Sequence, residues 1–548
     1  MKNISNKYHV DAFMRTLMII LIALSFSVNT IQAQNFNIIS QRCYGGAPPP
    51  SGAKIIPNGE GFTVFATIPP GNNHAPPGCP AKSNLWLYQI DANGDFVWNR
   101  CYGGNSIEDA RDMLKTSDNG FLLSAITISN DGDVSYNPGA CSIWIIKTDS
   151  IGQLEWERCY GGSNWEWVYR IRETPDGGYI FIGWTNSTNG DISYNNGTTD
   201  MWVVKINSLG EIEWERCYGG SYIDWGESIV LTKDGGYLAG GITSSSDGDV
   251  SCTIAFPGAH FDIWVLKLDL HGEIEWQNCY GGSYTEALYE IKQTSDGGYI
   301  LLAGTSSNDG DVSGFSGEPG NVNTQDMWVV KLDSRGNLEW QRCLGGNKRE
   351  IPTNIVQLSD GGYLVGGGSE SNNGIFYCPP CVQGALTMWL VKLSPEGEIE
   401  WTQYVDSPGD NALYDFHVFS DMHYLLLGSA QWAGGMLVCD GPFNHDSGYN
   451  WIVEIQDTTM SVSTLKPEHL IINVYPNPAS TELWLQMPEN ILLAQAQIEM
   501  FSPTGRLIYR AQPAGQFHKI ETACLPSGLY MVRLWDEKLW RATKVVVK

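Results

Sequence analysis

Long apolar runs are nearly absent from this 548-residue chain. The one candidate, Leu17–Phe26, is too short for a comfortable bilayer span. Basic residues are also scarce, at 33 Lys and Arg against 60 Asp and Glu, for a net charge of −27. The deficit is uneven: residues 1–33 and 470–548 each carry +2, which leaves about −31 between them. A surface this acidic repels phosphate backbones and anionic lipid, and it excludes nucleic acid as a natural partner. Cations, neutral glycans and basic proteins stay open, and the acid also keeps an exported protein soluble. Catalytic signatures are missing as well. No glycine loop precedes a helix in the manner of a phosphate site, and none of the nine His recurs or falls in a catalytic motif.

What the chain does have is glycine, aromatics and repetition. It holds 61 Gly, 21 Trp and 25 Tyr, a composition that favours short strands and turns over helices. Cys-Tyr-Gly-Gly stands at Cys43, Cys101, Cys159, Cys217 and Cys279, then Cys-Leu-Gly-Gly at Cys343, with a degenerate copy at Tyr404. Asp-Gly-Gly-Tyr recurs at Asp176, Asp234, Asp296 and Asp360, and Asp-Gly-Asp-Val-Ser at Asp131, Asp247 and Asp309. A Trp then marks each third strand, from Trp86 to Trp451. Four short strands per copy, joined by glycine turns, describe one propeller blade. The fold class read from this is all-β: a seven-bladed β-propeller of four-stranded antiparallel blades, plus a small C-terminal β-sandwich. The seventh copy lacks a fourth strand and the N-terminal Ile38–Arg42 is an orphan strand, so pairing it with Trp451–Ile455 closes the ring and removes an open edge. The repeats resemble those of secreted bacterial propeller proteins with tandem Asp-Gly-Gly-Tyr units, over roughly residues 35–456.

Lys2, Lys7 and Arg15 ahead of the apolar run, and Ala33 after it, read as a signal peptide over residues 1–33. The propeller is assigned to 34–457 and a linker to 458–469. Residues 470–548 carry Pro476, Asn477, Pro478, then Gly505 and Arg506, then Gly528 and Tyr530, and end in a basic strand. That ordered set resembles the C-terminal sorting domain of Bacteroidetes cargo proteins. The resemblance implies export by the type IX secretion machinery and a secreted or outer-membrane-surface location.

In a four-stranded blade the inter-blade link and the loop between strands two and three share one face. Three groups on that face are candidates for binding. Asp131, Asp133, Asp191, Asp247, Asp249, Asp309 and Asp311 suit calcium, although Asp-Gly turns need no ion. Glu108, Glu166, Asp224, Glu286 and Glu350 follow the repeat cysteines at fixed spacing. They either ring the channel mouth or accept hydrogen bonds within the links. Trp165 and Trp225 are able to stack on sugar rings or wedge between blades. The six repeat cysteines are read as buried thiols, Cys79 with Cys141 as a disulfide between neighbouring blades, and Cys378 with Cys381 as a local disulfide. The function that follows is a monomeric, non-catalytic binding or scaffold protein for glycan or protein. A polysaccharide-cleaving propeller and a purely structural surface protein are the rivals.

Overall fold

The computed structural model describes residues 36–44, most of 51–430, Met436, 449–457 and most of 473–547, together with Gln32 and Ala33. Two compact units divide near residue 459. The signal-peptide and linker assignments, apart from Gln32 and Ala33, lie outside the described residues. Those two form a short parallel pair with Trp401 and Thr402. No helix among the described residues is long and apolar enough to cross a membrane.

The first unit is seven antiparallel sheets in succession. The third blade is typical: Glu166–Glu173, Tyr179–Thr185, Asp200–Ile206 and Ile212–Tyr218 pair in sequence order. Its third strand carries only buried side chains because both faces are covered. Ile143 and Ile145 of the second blade pack with Trp202 and Val204, while Val203 packs on Trp264 and Leu266 of the fourth. In this blade the Trp is fully buried, and its indole N–H finds an acceptor on strand four, Trp202 to Glu215 at 2.9 Å. A buried indole needs that partner.

The first strands of consecutive blades touch all the way round, from Ser51–Asn58 through Leu413–Ser420 and back to Ser51–Asn58. The latch is the strand Phe36–Tyr44, which takes the fourth position of the seventh blade beside Tyr449–Asp457. Ile38 faces Ile455, Arg42 faces Ile452 and Cys43 faces Trp451. Adjacent blades are also stapled by the Tyr of each Cys-Tyr-Gly-Gly. Its hydroxyl donates to a turn carbonyl of the next blade, Tyr160 to Gly210 at 2.6 Å and Tyr44 to Gly94 at 2.7 Å. The second staple runs from the seventh blade to the first and reinforces the closure.

The second unit is a sandwich. Asn473–Tyr475, Glu482–Gln486 and Phe517–Glu521 form one sheet, and Leu507–Ala511, Gln497–Phe501, Gly528–Trp535 and Trp540–Val547 the other. Leu483, Leu485, Ile498, Met500, Val532 and Val545 share a core between them. Glu499, 1% exposed, is held by both Arg510 and Arg533.

A chain lacking residues 36–44 forfeits an entire ladder, at about 1 kcal/mol net per hydrogen bond. It also exposes a strand edge. The expected result is a stability loss of at least about 5 kcal/mol in urea unfolding and self-association in sedimentation. An unchanged midpoint and a clean monomer contradict the latch.

Candidate functional site

Chain direction places the links and the long loops on one face. Hydrogen bonds tie them together. In each Asp-Gly-Asp loop the first Asp accepts from the link of its own repeat: Asn105 N–H to Asp131 at 2.8 Å, Ser221 N–H to Asp247 at 2.7 Å, Ser283 N–H to Asp309 at 2.7 Å. The second Asp accepts from the first link glycine. Gly103, Gly161, Gly219 and Gly281 donate to Asp133, Asp191, Asp249 and Asp311 at 3.0, 3.0, 3.2 and 3.2 Å. The glycine between the two acids is obligatory. At Gly310, φ is +64° and a Cβ would fall 2.4 Å from the Gly281 carbonyl oxygen. Backbone donors at Asn105 hold the exposed Asp131 carboxyl below its usual range.

Glu108, Glu166, Asp224, Glu286 and Glu350 are all fully buried. Each takes the N–H of the second link glycine, for example Gly162 to Glu166 at 3.1 Å, and a hydroxyl from the end of strand two, Thr185 to Glu166 at 3.0 Å. Asp224 adds Ser245 at 2.8 Å and is also bonded by Thr243. These five therefore organise the links from within and present no carboxylate to solvent. Burial pushes them up, Glu286 to about 7 and Glu350 to about 8, against the pull of those hydrogen bonds.

Trp165 is 47% exposed on the link, as are Tyr222 at 45% and, on the loops, Tyr136 at 66%, Tyr194 at 57%, Phe256 at 54% and Tyr377 at 63%. Trp225 is committed elsewhere. It stacks between Trp184 and Phe261 at centroid distances of 5.7 and 6.3 Å, and its N–H reaches Thr199. Trp167 extends the row, and Arg111 lies 4.0 Å over its ring. This is an inter-blade seam.

Two features carry charge that sequence reading passed over. On the opposite face, in five of the seven blades, a lysine three residues after the third-strand Trp is buried between two acids. Lys205 meets Asp176 at 2.9 Å and Glu213 at 2.6 Å; Lys147, Lys267, Lys331 and Lys392 do the same. The Asp is that of Asp-Gly-Gly-Tyr, and the constant Trp-X-X-Lys spacing was the available signal. The inner strands hold the second feature. Arg170 reaches Glu290 at 3.2 Å, Arg172 reaches Asp112 at 2.9 Å, and Lys54 reaches Asp415 at 3.5 Å. Burial opposes ionisation of Glu290, but Arg170, Lys292 and Arg172 outweigh it and hold the carboxyl well below its usual range. The residue types do not repeat here, so no periodic signal existed.

The cysteines need correction. Cys79 bonds Cys101, and Cys252 bonds Cys279, each within one blade at Cα separations of 5.6 and 6.0 Å. A loop cysteine entering strand three arrives beside the end of strand four, so the partner is the blade's own repeat cysteine. Cys141 is a free buried thiol, as Cys159, Cys217 and Cys343 are free at the repeat position. Cys43 is disulfide-bonded too, so three of the six repeat positions are bridged. Cys378 and Cys381 bond each other, which removes both sulfurs from a cluster with Asp406 that otherwise has metal-ligand spacing.

In the second unit, Tyr530 is buried and donates to the Pro526 carbonyl at 2.7 Å. Pro476, Asn477, Pro478, Gly505 and Arg506 lie outside the described residues. The family model for this sandwich decides its role. Residues 473–548 are a secretion system C-terminal sorting domain. The sorting domain makes the chain a cargo of type IX secretion, delivered to the cell surface or beyond. No curated protein matches the chain. Solved structures similar to it include PorZ, a surface component of the type-IX secretion system of Porphyromonas gingivalis (13% identity, 90% of this chain, 59% of that one, TM-score 0.39). Others are a puromycin hydrolase (12%, 81% and 61%, TM-score 0.40) and an apocarotenoid oxygenase mutant of Synechocystis (10%, 60% and 70%, TM-score 0.34). The chain spans about 60% of the length of the first two. Likenesses this distant carry no argument about activity.

The lysine clamps set an acid limit. Partial burial opposes ionisation of Asp176, but Thr174, Lys205 and the Gly178 N–H lower it from 3.8 to about 2. Its folded value lies below its unfolded one, so the clamp stabilises fully above about pH 4 and is lost as pH falls through 2. Asp176 is 57% exposed, so the solvent-screened effect is small. Asp176→Asn should cost about 0.5–1 kcal/mol near neutrality and flatten the decline of stability below pH 4 in urea melts.

Proposed function

We propose that the exported propeller is a non-catalytic binding protein whose loop-bearing face takes a polyhydroxylated glycan at the cell surface. One observation carries the reading. Of the eight exposed aromatics among the described residues of the first unit, six stand on the links and loops of this face: Tyr136, Trp165, Tyr194, Tyr222, Phe256 and Tyr377. Flat rings left in water on a rigid scaffold suit the apolar faces of sugars. The acids and amides around them suit hydroxyl groups, while the acidic field disfavours sulfated or phosphorylated polymers. Loops on such a scaffold are where recognition concentrates.

A glycan array probed with the mature protein, beside a hydrolysis screen on the glycans retained, tests this. Saturable binding without turnover is expected. Trp165→Ala and Tyr222→Ala should each weaken binding about tenfold, a loss of about 1.4 kcal/mol, with an unchanged melting temperature because neither ring is buried. Turnover of a bound glycan supports the enzyme reading instead, and no retention of any glycan overturns the proposal.

A further inference from the structure

In the second to seventh blades, pairing between strands one and two skips one residue at the same place. The skipped residues are Arg111, Tyr169, Glu227, Tyr289, Thr353 and Tyr414. A bulge of this kind re-aims a side chain. The first strands of successive blades touch all the way round, so these six residues share one tier of the axial wall. All six are half-buried although they stand on the innermost strands, so water reaches the tier. The next tier toward the Asp-Gly-Gly-Tyr hairpins pairs its own charges, Arg170 with Glu290 and Lys54 with Asp415.

Within the bulge tier, Glu227 Oε2 is buried without a hydrogen-bond partner. Its neighbours converge on it from both sides. Tyr169, one blade before, is raised to about 12 by burial and then by the charge of Glu227. Tyr289, one blade after, is raised by burial and by the same carboxyl. Tyr289 acts on Tyr169 as well, across the blade between them. A carboxyl and two phenols therefore face one space. The cations near them are engaged elsewhere. Arg111 is bonded to Asp109 and lies over the Trp167 ring, although its buried Nε has no partner. Arg170, whose charge reaches Glu227, is bonded to Glu290 at 3.2 Å. Arg349 acts on Tyr289. Burial outweighs the pull of Arg170 and pushes Glu227 up to about 8.

We propose that this axial tier binds a small primary ammonium ion, whose N–H groups Glu227 accepts between Tyr169 and Tyr289. A buried carboxyl oxygen without a donor is completed by an ammonium N–H, in a charge-assisted bond. Tyrosine rings attract a cation at their faces, and their hydroxyls add acceptors. Tyr414 brings a third ring to the same tier from the seventh blade. Thr353 takes no part, because its hydroxyl donates to the Leu413 carbonyl at 3.0 Å. The net charge of −27 draws cations toward the protein. The site is separate from the glycan surface, whose aromatics stand on the links and loops, and it does not rest on that reading.

The test is calorimetric titration of the disulfide-intact mature protein with n-butylammonium chloride, in buffers of low and high ionisation enthalpy. Saturable binding is expected. The ammonium binds the ionised carboxyl, so affinity should rise several-fold between about pH 7 and about pH 8.5, as Glu227 loses its proton through about 8. At the lower pH, binding should release about one proton to the buffer. Glu227→Gln should weaken binding at least about tenfold, the worth of one charge-assisted hydrogen bond, and abolish the proton release. Tyr289→Phe keeps the ring and should weaken binding a few-fold, which serves where the first variant fails to fold. Asp296→Asn, on the lysine-clamp face, should leave affinity unchanged. No binding of butylammonium at the higher pH overturns the proposal, as does equal binding by the wild type and Glu227→Gln. Tighter binding of butyrate than of butylammonium assigns the pocket to Arg111 and also overturns it.

Discussion

The pairing of Phe36–Tyr44 with Tyr449–Asp457 is the constraint on which the rest of the first unit depends. Six blades carry four strands of their own, and the seventh borrows its last from the far end of the chain. Without that loan, the sheet Leu413–Ser420, His423–Ala430, Tyr449–Asp457 ends in bare N–H and C=O groups. The first blade then loses the Tyr44 staple to Gly94. With it, every sheet has two neighbours, and both faces of a strand such as Asp200–Ile206 are buried. Ring closure also brings Lys54 to Asp415, so charges far apart in sequence meet on the inner strands.

Closure has an electrostatic consequence that differs between the two faces. Strand three points its Lys toward the Asp-Gly-Gly-Tyr hairpin, where Asp176 and Glu213 share the ammonium of Lys205. The same strand begins at the other face with Asp200, Asp262 or Asp326, where no cation is built in. In these three blades strand three carries a lysine-clamped end and an acidic end.

Periodicity decided what was legible in the sequence. Blade number, strand order and the closing strand were readable because each depends on features that recur: the Cys-Tyr-Gly-Gly spacing, the third-strand Trp and the missing fourth strand of the last copy. The sorting domain was readable from an ordered set of short motifs. The local Cys378–Cys381 disulfide was readable from its short spacing, but the longer bridges were not, since spacing does not reveal that the start of strand three abuts the end of strand four. Cys79 therefore reaches Cys101 in its own blade and not Cys141 in the next. The burial of Glu108 and its counterparts was equally hidden. The hint was the Thr127 and Ser129 pair at the end of strand two, repeated as Thr185 and Ser187, which supplies the hydroxyls such an acid needs. The pairs on the inner strands had no hint, because Asp112, Arg170, Ser228, Glu290 and Asn354 occupy one structural position with five different residues.

That non-repeating inner ring shows how the fold divides its labour. A position facing only its counterparts is free to differ from blade to blade so long as the set balances. Asp112 accepts from the Ile171 N–H of the next blade at 3.1 Å, and Ser228 accepts from Ile291 at 3.0 Å, so acid and hydroxyl do the same structural work. Links and loops obey a different rule. Their backbone is fixed by the paired Asp residues and the Gly between them, while their outward aromatic side chains keep about half of their surface in water. Trp165, Tyr222 and Phe256 therefore stand on a rigid frame without belonging to it. A water-exposed ring held by so ordered a backbone loses little further freedom when a partner covers it, which is what a binding surface requires and a purely structural one does not.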